Sequence, residues 1–125
     1  MPNLPHPDKP PVYTCLNELL AWTFDRTASF PKCHRFTVGQ RIDNLTLDAL
    51  EACITAMFRS KQAKLDPLRS LNLDLEILRA LWRIACDRGW ISQGQALHVA
   101  GKIDEIGRMT GGWIASLSRE PGGKG

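Results

Sequence analysis

The sequence predicts an all-α protein that folds as an up-down-up-down four-helix bundle. Four segments carry apolar residues at the three- and four-residue spacing of amphipathic helices. The connections between these segments are short, and no segment shows the apolar–polar alternation of a convincing β-strand. Short connections make each helix antiparallel to the one before it, which gives the bundle its predicted topology.

The first two helices are predicted from their apolar faces. The first is expected over residues 12–28, with Leu16 on its apolar side. The second is expected to begin near Thr37 and to end near Ser60. The Thr37 hydroxyl would serve as the N-cap, and Gln40, three residues later, would complete a capping box.

The third helix is predicted to start at Asp66 as N-cap, with Pro67 at the first helical position, and to end before Gly89. Its apolar residues form two stripes rather than one. The first stripe consists of Leu68, Leu71, Leu75, Leu78, Trp82 and Ala85. The second stripe, on a different side of the helix, consists of Leu73, Ile77, Leu81 and Ile84. Together they cover more than half of the helix surface, whereas one buried face needs only about 100°.

Two interpretations of the second stripe remain open at this point. The third helix is either wedged between two others inside its own bundle, or it buries the second stripe against another subunit. The subunit interpretation makes Leu73, Ile77, Leu81 and Ile84 an oligomer interface, and repeated interfaces of this kind close into cyclic oligomers.

The polar side of the third helix also allows two interpretations. Arg79 and Arg83 are four residues apart and therefore neighbours that repel each other. Glu76 and Asp87 are spaced to neutralise them in a solvated, salt-bridged face. Alternatively, the two guanidinium groups face phosphate, which their forked donors bind well.

The fourth helix is predicted to begin after Ser92, which forms a capping box with Gln95. This helix completes the bundle, which is expected to cover residues 12–118. Residues 1–11 hold five of the eight prolines and are predicted to be disordered, and residues 119–125 are predicted to be a flexible basic tail.

Length and composition indicate a single domain of an ordinary soluble class. The chain has 125 residues, of which 43% are apolar and 23% charged, and it contains no apolar run of the roughly 20 residues that span a bilayer. The N-terminus carries prolines where a secretory signal would be apolar. The four cysteines are widely spaced, without a C-x-x-C pair. We therefore expect a cytoplasmic protein that is not bound to membranes and has no disulfide or zinc site.

The positive charge is concentrated at the connections between helices. The net charge is only +3, but residues 26–41 contain four Lys or Arg residues and no acid. The stretch "FPKCHRFTVGQRI" leads into the second helix, whose N-terminus already has positive potential. Cations crowded there repel the helix dipole and one another. An anion such as nucleic-acid phosphate would relieve this repulsion.

Catalysis finds little support in the sequence. A di-iron bundle needs Glu-x-x-His pairs on facing helices, and none occurs. The sequence has no phosphate-binding glycine loop, no G-x-S-x-G and no H-E-x-x-H. Cys33 and His34 are adjacent, which is poor geometry for a nucleophile and its base. No catalytic residue, metal ligand or cofactor is therefore expected, and a binding or adaptor protein is favoured.

Three blocks of the sequence resemble one family in particular. These blocks are "FPKCHRFTVGQRID" at 30–43, "LRALWRIACDRGWIS" at 78–92 and "IDEIGRMTGGWIAS" at 103–116. Together, and in this order, they resemble the Avd family, the accessory variability determinant proteins of diversity-generating retroelements, and the wider group of Avd-like four-helix bundle proteins. The resemblance covers residues 12–118.

The resemblance implies a non-catalytic partner of a retroelement reverse transcriptase. Such proteins form homopentameric rings with a basic surface, bind the reverse transcriptase and the template RNA, possibly also cDNA, and support mutagenic reverse transcription. The basic residues matching the first two blocks are Lys32, His34, Arg35, Arg41, Arg79 and Arg83. Their charge makes these six the expected nucleic-acid contacts. The wider group leaves an alternative, a structural or protein-interaction oligomer that binds no nucleic acid.

Overall fold

The computed structural model describes residues 9–119 and folds them into four long helices, with no strand in that range. Helix α1 spans Pro11–Thr27, α3 spans Leu65–Asp87 after a 3₁₀ turn at Gln62–Lys64, and α4 spans Gln93–Leu117. Helix α2 covers residues 32–57 in three consecutive parts, Lys32–His34, the π-helical Arg35–Gly39 and Gln40–Met57. The prediction of an all-α fold with four helices is confirmed.

The helices pack in chain order around one core. Helix α1 contacts α2 and α4, and α3 contacts the same two helices from the opposite side. Helices α1 and α4 are antiparallel, because Glu18 pairs with Lys102 while Trp22, one turn later, contacts His98. These neighbours give the up-down-up-down arrangement of a four-helix bundle.

The core is built from the apolar stripe of each helix. All six residues of the first stripe of α3 are buried. Five of them, all except Leu68, pack with residues of the other three helices, among them Leu16, Leu19, Ile42, Leu45, Cys53, Val99, Ile103 and Ile106. Burying each leucine or isoleucine side chain contributes about 1.5–3 kcal/mol to folding. Burial also raises the pKa of the Cys53 thiol to about 11, so this cysteine is uncharged and packs as a small apolar side chain.

The predicted start of the second helix is wrong. Thr37 lies inside α2, where its hydroxyl donates to the His34 carbonyl oxygen at 3.3 Å instead of capping an amide. The helix begins at Lys32, directly after Pro31. Proline lacks an amide proton and its φ is fixed near the helical value, so it suits the start of a helix. Lys32 therefore lies in the first turn of α2, rather than ahead of the helix.

The predicted cap of the third helix is also wrong. Helix α3 begins at Leu65, and Asp66 caps no amide. A 3₁₀ turn leads directly into the helix, so the preceding residues supply carbonyl groups and no side-chain cap is required. Pro67 is the third residue of the helix and is buried.

The predicted capping box of the fourth helix is confirmed. The Gln95 amide donates to Ser92 Oγ at 3.0 Å, and the Ser92 amide donates to Gln95 Oε1 at 2.9 Å. The predictions of a disordered N-terminus and a flexible tail fall largely on residues 1–8 and 120–125, which lie outside the described residues. Across residues 9–119, every helix is too short or too polar to traverse a lipid bilayer.

Candidate functional site

Two connections meet at one end of the bundle, because α1 and α3 end there while α2 and α4 begin there. We call this the basic end and define it by Lys32, His34, Arg35, Arg88 and Trp90. It is anchored by Phe30, which is buried between α1 and α2. The Phe30 ring centroid lies 5.1 Å from that of Trp90 and 5.9 Å from that of the core residue Trp82.

Trp90 is positioned by the way in which α3 ends. Gly89 adopts a left-handed conformation with φ of 78°. The Gly89 amide donates to the Cys86 carbonyl at 2.9 Å, and the Trp90 amide donates to the Ala85 carbonyl at 2.8 Å. This pair of bonds is a Schellman motif, which reverses the chain directly after the helix. The reversal places the Trp90 side chain against Phe30 and His34.

Replacing Gly89 with alanine is expected to destabilise the protein by about 1 kcal/mol, since a Cβ disfavours the left-handed conformation. Apart from its chain neighbours, no atom of residues 9–119 lies within 4 Å of the added Cβ, so the cost is conformational rather than steric. Gly101 provides the control, since it lies within α4 and also faces open space. Gly101→Ala is expected to stabilise the protein by about 0.5–1 kcal/mol. Urea unfolding of both variants measures the change in the free energy of unfolding, which is expected to have opposite signs in the two variants.

His34 and Arg88 both lie against Trp90. The imidazole of His34 stacks on the indole with ring centroids 4.6 Å apart and an interplanar angle of 30°. The Arg88 guanidinium carbon lies 5.9 Å from the centre of the indole ring. The first turn of α2 and the α3–α4 connection are thus joined by the contact between His34 and Trp90.

Three cations of the basic end, Lys32, Arg35 and Arg88, form no salt bridge within residues 9–119. Arg35 makes one long hydrogen bond, from Nη2 to the Phe30 carbonyl oxygen at 3.4 Å. All three residues are exposed. The structure therefore brings together Lys32, His34 and Arg35, as the sequence suggested, and adds Arg88.

The other three predicted contacts lie elsewhere. Arg41 lines a shallow groove between α2 and α3, beside Leu81. Arg79 pairs with Asp104 of α4 and with Glu76 at 3.7 Å, so its charge is already compensated. Arg83 lies 3.8 Å from Asp87, with both side chains largely exposed. For Arg79 and Arg83, the structure matches the salt-bridged interpretation.

The second stripe of α3 faces outwards. Leu73 is 61% exposed and Ile84 is 44% exposed, whereas Ile77 and Leu81 are half-buried against the core of their own bundle. If α3 buried this stripe between two other helices of the same chain, Leu73 and Ile84 would be buried. They are exposed, so that interpretation is wrong for these two residues. The stripe leaves an apolar strip on the surface of the bundle.

Sequence reasoning missed two aromatic residues that line a groove between α1 and α2. Phe36 is 73% exposed and Phe24 is 42% exposed, and both line this groove together with Arg35, Gln40 and Asp43. We call it the Phe36 groove. The signal available in the sequence was the alternation of aromatic and basic residues within "FPKCHRF", a pattern typical of nucleic-acid-binding surfaces.

Asp43 is the acid among the residues that line the Phe36 groove. Its Oδ1 accepts a hydrogen bond of 2.7 Å from Thr27 Oγ1, which ties α2 to the end of α1. Partial burial raises the pKa of the Asp43 carboxyl, and the Thr27 hydrogen bond works in the opposite direction. Residues 9–119 contain no group of three or more His, Cys, Asp or Glu side chains arranged to hold a metal ion.

Comparison with known protein families gives a match over most of the chain. A family model described as bAvd-like matches residues 13–117, which include nearly all of the four helices. No curated protein and no solved structure matches the chain.

Proposed function

The chain belongs to the bAvd-like family, and from this premise we propose that it is a non-catalytic accessory protein of a diversity-generating retroelement. In this role it binds the reverse transcriptase together with the template RNA, and the cDNA made from it, and so supports mutagenic reverse transcription. These partners would meet the protein in the cytoplasm.

The observation that carries this proposal is the uncompensated charge of the basic end. Lys32, Arg35 and Arg88 are exposed and form no salt bridge within residues 9–119. Lys32 also lies in the first turn of α2, where the helix dipole adds positive potential. A surface of this kind gains most from a polyanion, because phosphate groups supply the missing counter-charge.

Assembly into a homopentamer strengthens the proposed interaction. A ring of five identical bundles presents five basic ends, related by the ring symmetry. Contacts that are weak in one subunit then act together on one RNA strand, since the second and later contacts form at a high effective concentration. A net charge of only +3 per chain is thereby compatible with tight binding by the ring.

The test is the salt dependence of RNA binding by the purified, assembled protein. We expect retention of single-stranded RNA at low salt, with log K falling linearly against log salt by about 0.7 for each phosphate contact. Fluorescence anisotropy of an end-labelled RNA measures both quantities. Absence of binding, or binding that salt leaves unchanged, would contradict the proposal.

The outward stripe of α3 favours a second candidate function. An exposed Leu73 and Ile84 on one helix face suit contact with another protein. In this alternative the protein is a structural or protein-interaction oligomer without affinity for nucleic acid. It predicts no RNA retention at any salt concentration, and partner binding that depends on Leu73 rather than on Lys32.

A further inference from the structure

The most exposed aromatic residue near the basic end is Phe36, in the π-helical part of α2. The residue is 73% exposed, although burying a phenylalanine side chain is worth about 1.5–3 kcal/mol. It sits on a helix, not on a loose loop, and Lys32 precedes it by four residues. An exposed aromatic ring that is held on a helix can stack on a flat, uncharged ring of a ligand. Cations beside it can bind an anionic group of the same ligand.

The backbone under Phe36 is unusual as well. Arg35–Gly39 form a π-helical turn inside α2, a less stable arrangement than the α-helix that occurs mostly as single turns, often at functional sites. Within it, Gly39 is buried, and a Cβ placed there would lie 3.4 Å from Cδ2 of Phe30. The turn thus places Gly39 against the core while Phe36 projects from the surface.

The Phe36 groove is an open surface groove with room for a small ring, and its volume is about 440 Å³. Phe24 and Phe36 supply aromatic rings, Arg35 supplies positive charge, and Asp43 supplies an acid. Gln40 adds an amide that can both donate and accept hydrogen bonds.

The opposite end of the bundle is also basic, and two of its lysines are engaged within the protein, whereas Arg59 and Arg69 are exposed. Lys61 Nζ donates to the Arg119 carbonyl oxygen at 2.9 Å, and Lys64 Nζ donates to the Ala56 carbonyl oxygen at 2.6 Å. An exposed aromatic residue is present there too, Phe58, which is 83% exposed. Both ends therefore carry an exposed ring, and they differ in that the lysines of this end donate to backbone carbonyl groups.

We propose that the Phe36 groove binds an unpaired base of single-stranded RNA, stacked on the Phe36 ring, while Lys32 and Arg35 hold the flanking phosphates. This inference rests on the proposed function and specifies its ligand. A duplex keeps its bases stacked on each other and cannot insert one between α1 and α2, whereas a single strand can. Stacking on an aromatic ring accepts every base, so the groove selects unpaired RNA with little sequence preference.

The experiment compares Phe36→Ala with Phe58→Ala, two truncations of exposed phenylalanines at opposite ends of α2. Each variant is titrated against a labelled single-stranded RNA and a duplex RNA of equal length. We expect Phe36→Ala to weaken single-strand binding about tenfold or more, to leave duplex binding unchanged, and Phe58→Ala to change neither. Circular dichroism melts confirm that both variants remain folded.

Two further substitutions separate stacking from simple apolar contact. Phe36→Trp keeps a flat aromatic surface and is expected to retain single-strand binding, whereas Phe36→Leu is expected to lose it as alanine does. Equal binding by the Phe36→Ala and Phe58→Ala variants, or a preference of the unmodified protein for duplex, would overturn the stacking proposal while leaving RNA binding intact. Failure of the unmodified protein to bind any RNA would overturn the proposed function itself.

Discussion

Replacing both Lys32 and Arg35 with glutamate is expected to abolish binding of single-stranded RNA without unfolding the bundle. The substitution converts two attractive contacts into two repulsive ones in every subunit, and in an oligomer these changes act together. Neither side chain forms a salt bridge within the described part of the chain, and both residues are exposed. We expect a loss of at least about 100-fold in affinity at low salt.

The stability of this variant gives a second, sharper readout. Lys32 occupies the first turn of α2, where an acidic side chain interacts favourably with the helix dipole, by about 0.3–1 kcal/mol. The substitution at Arg35 removes a weak hydrogen bond, the one of 3.4 Å from its guanidinium to the Phe30 carbonyl oxygen. The melting temperature should therefore stay the same or rise slightly while RNA binding disappears. A variant that loses both stability and binding would show only that the bundle had been damaged.

The matched control changes the same amount of charge at the other end. Arg59 and Arg69 are exposed and lie near the α2–α3 connection. Arg59→Glu with Arg69→Glu alters the net charge by the same four units, so any general effect of net charge appears equally in both variants. We expect this control to retain most of its RNA affinity. Equal losses in the two double variants would refute a localised binding surface at the basic end.

The four helices and most of their core could be predicted from the sequence, because the spacing of apolar residues along a helix is a local property of the chain. The first stripe of α3 and the Ser92–Gln95 capping box appear in the structure as predicted. The start of α2 could not be placed by the same rules, because two start signals compete there. Thr37 and Gln40 have the spacing of a capping box, but Pro31 lies six residues earlier and begins the helix first. A capping motif inside a helix has no free amides to cap.

The candidate site was predicted only in part, for a related reason. Charge pattern alone identified Lys32 and Arg35, because an acid-free stretch is visible in the sequence. The charge of Arg79 is compensated by Asp104, which lies on α4 and is brought close only by packing. Likewise, the stacking of His34 on Trp90 joins the first turn of α2 to the α3–α4 connection, which is distant in the chain. Such partners depend on tertiary packing, so a single sequence does not reveal them.

Replacing Leu73 with glutamate is expected to convert the proposed homopentamer into monomers that stay folded. Leu73 is 61% exposed in the isolated bundle, so a charge there costs the monomer little. In an interface the same charge would be buried without a partner, at a cost of several kcal/mol. Leu81 is a poorer choice, because it is half-buried against its own core and its replacement would also destabilise the monomer. Sedimentation velocity distinguishes the 14.0 kDa chain from an assembly of about five times that mass.

Leu97 provides the matched control for this result. It is another strongly exposed leucine, on α4, and Leu97→Glu introduces the same charge away from the outward stripe of α3. We expect this variant to remain oligomeric, and its melting temperature to keep the dependence on protein concentration that subunit association produces. That dependence should vanish in Leu73→Glu. An oligomer that survives Leu73→Glu unchanged would exclude the outward stripe as its interface. The exposed leucine would then have to be explained by contact with a different protein, as in the second candidate function.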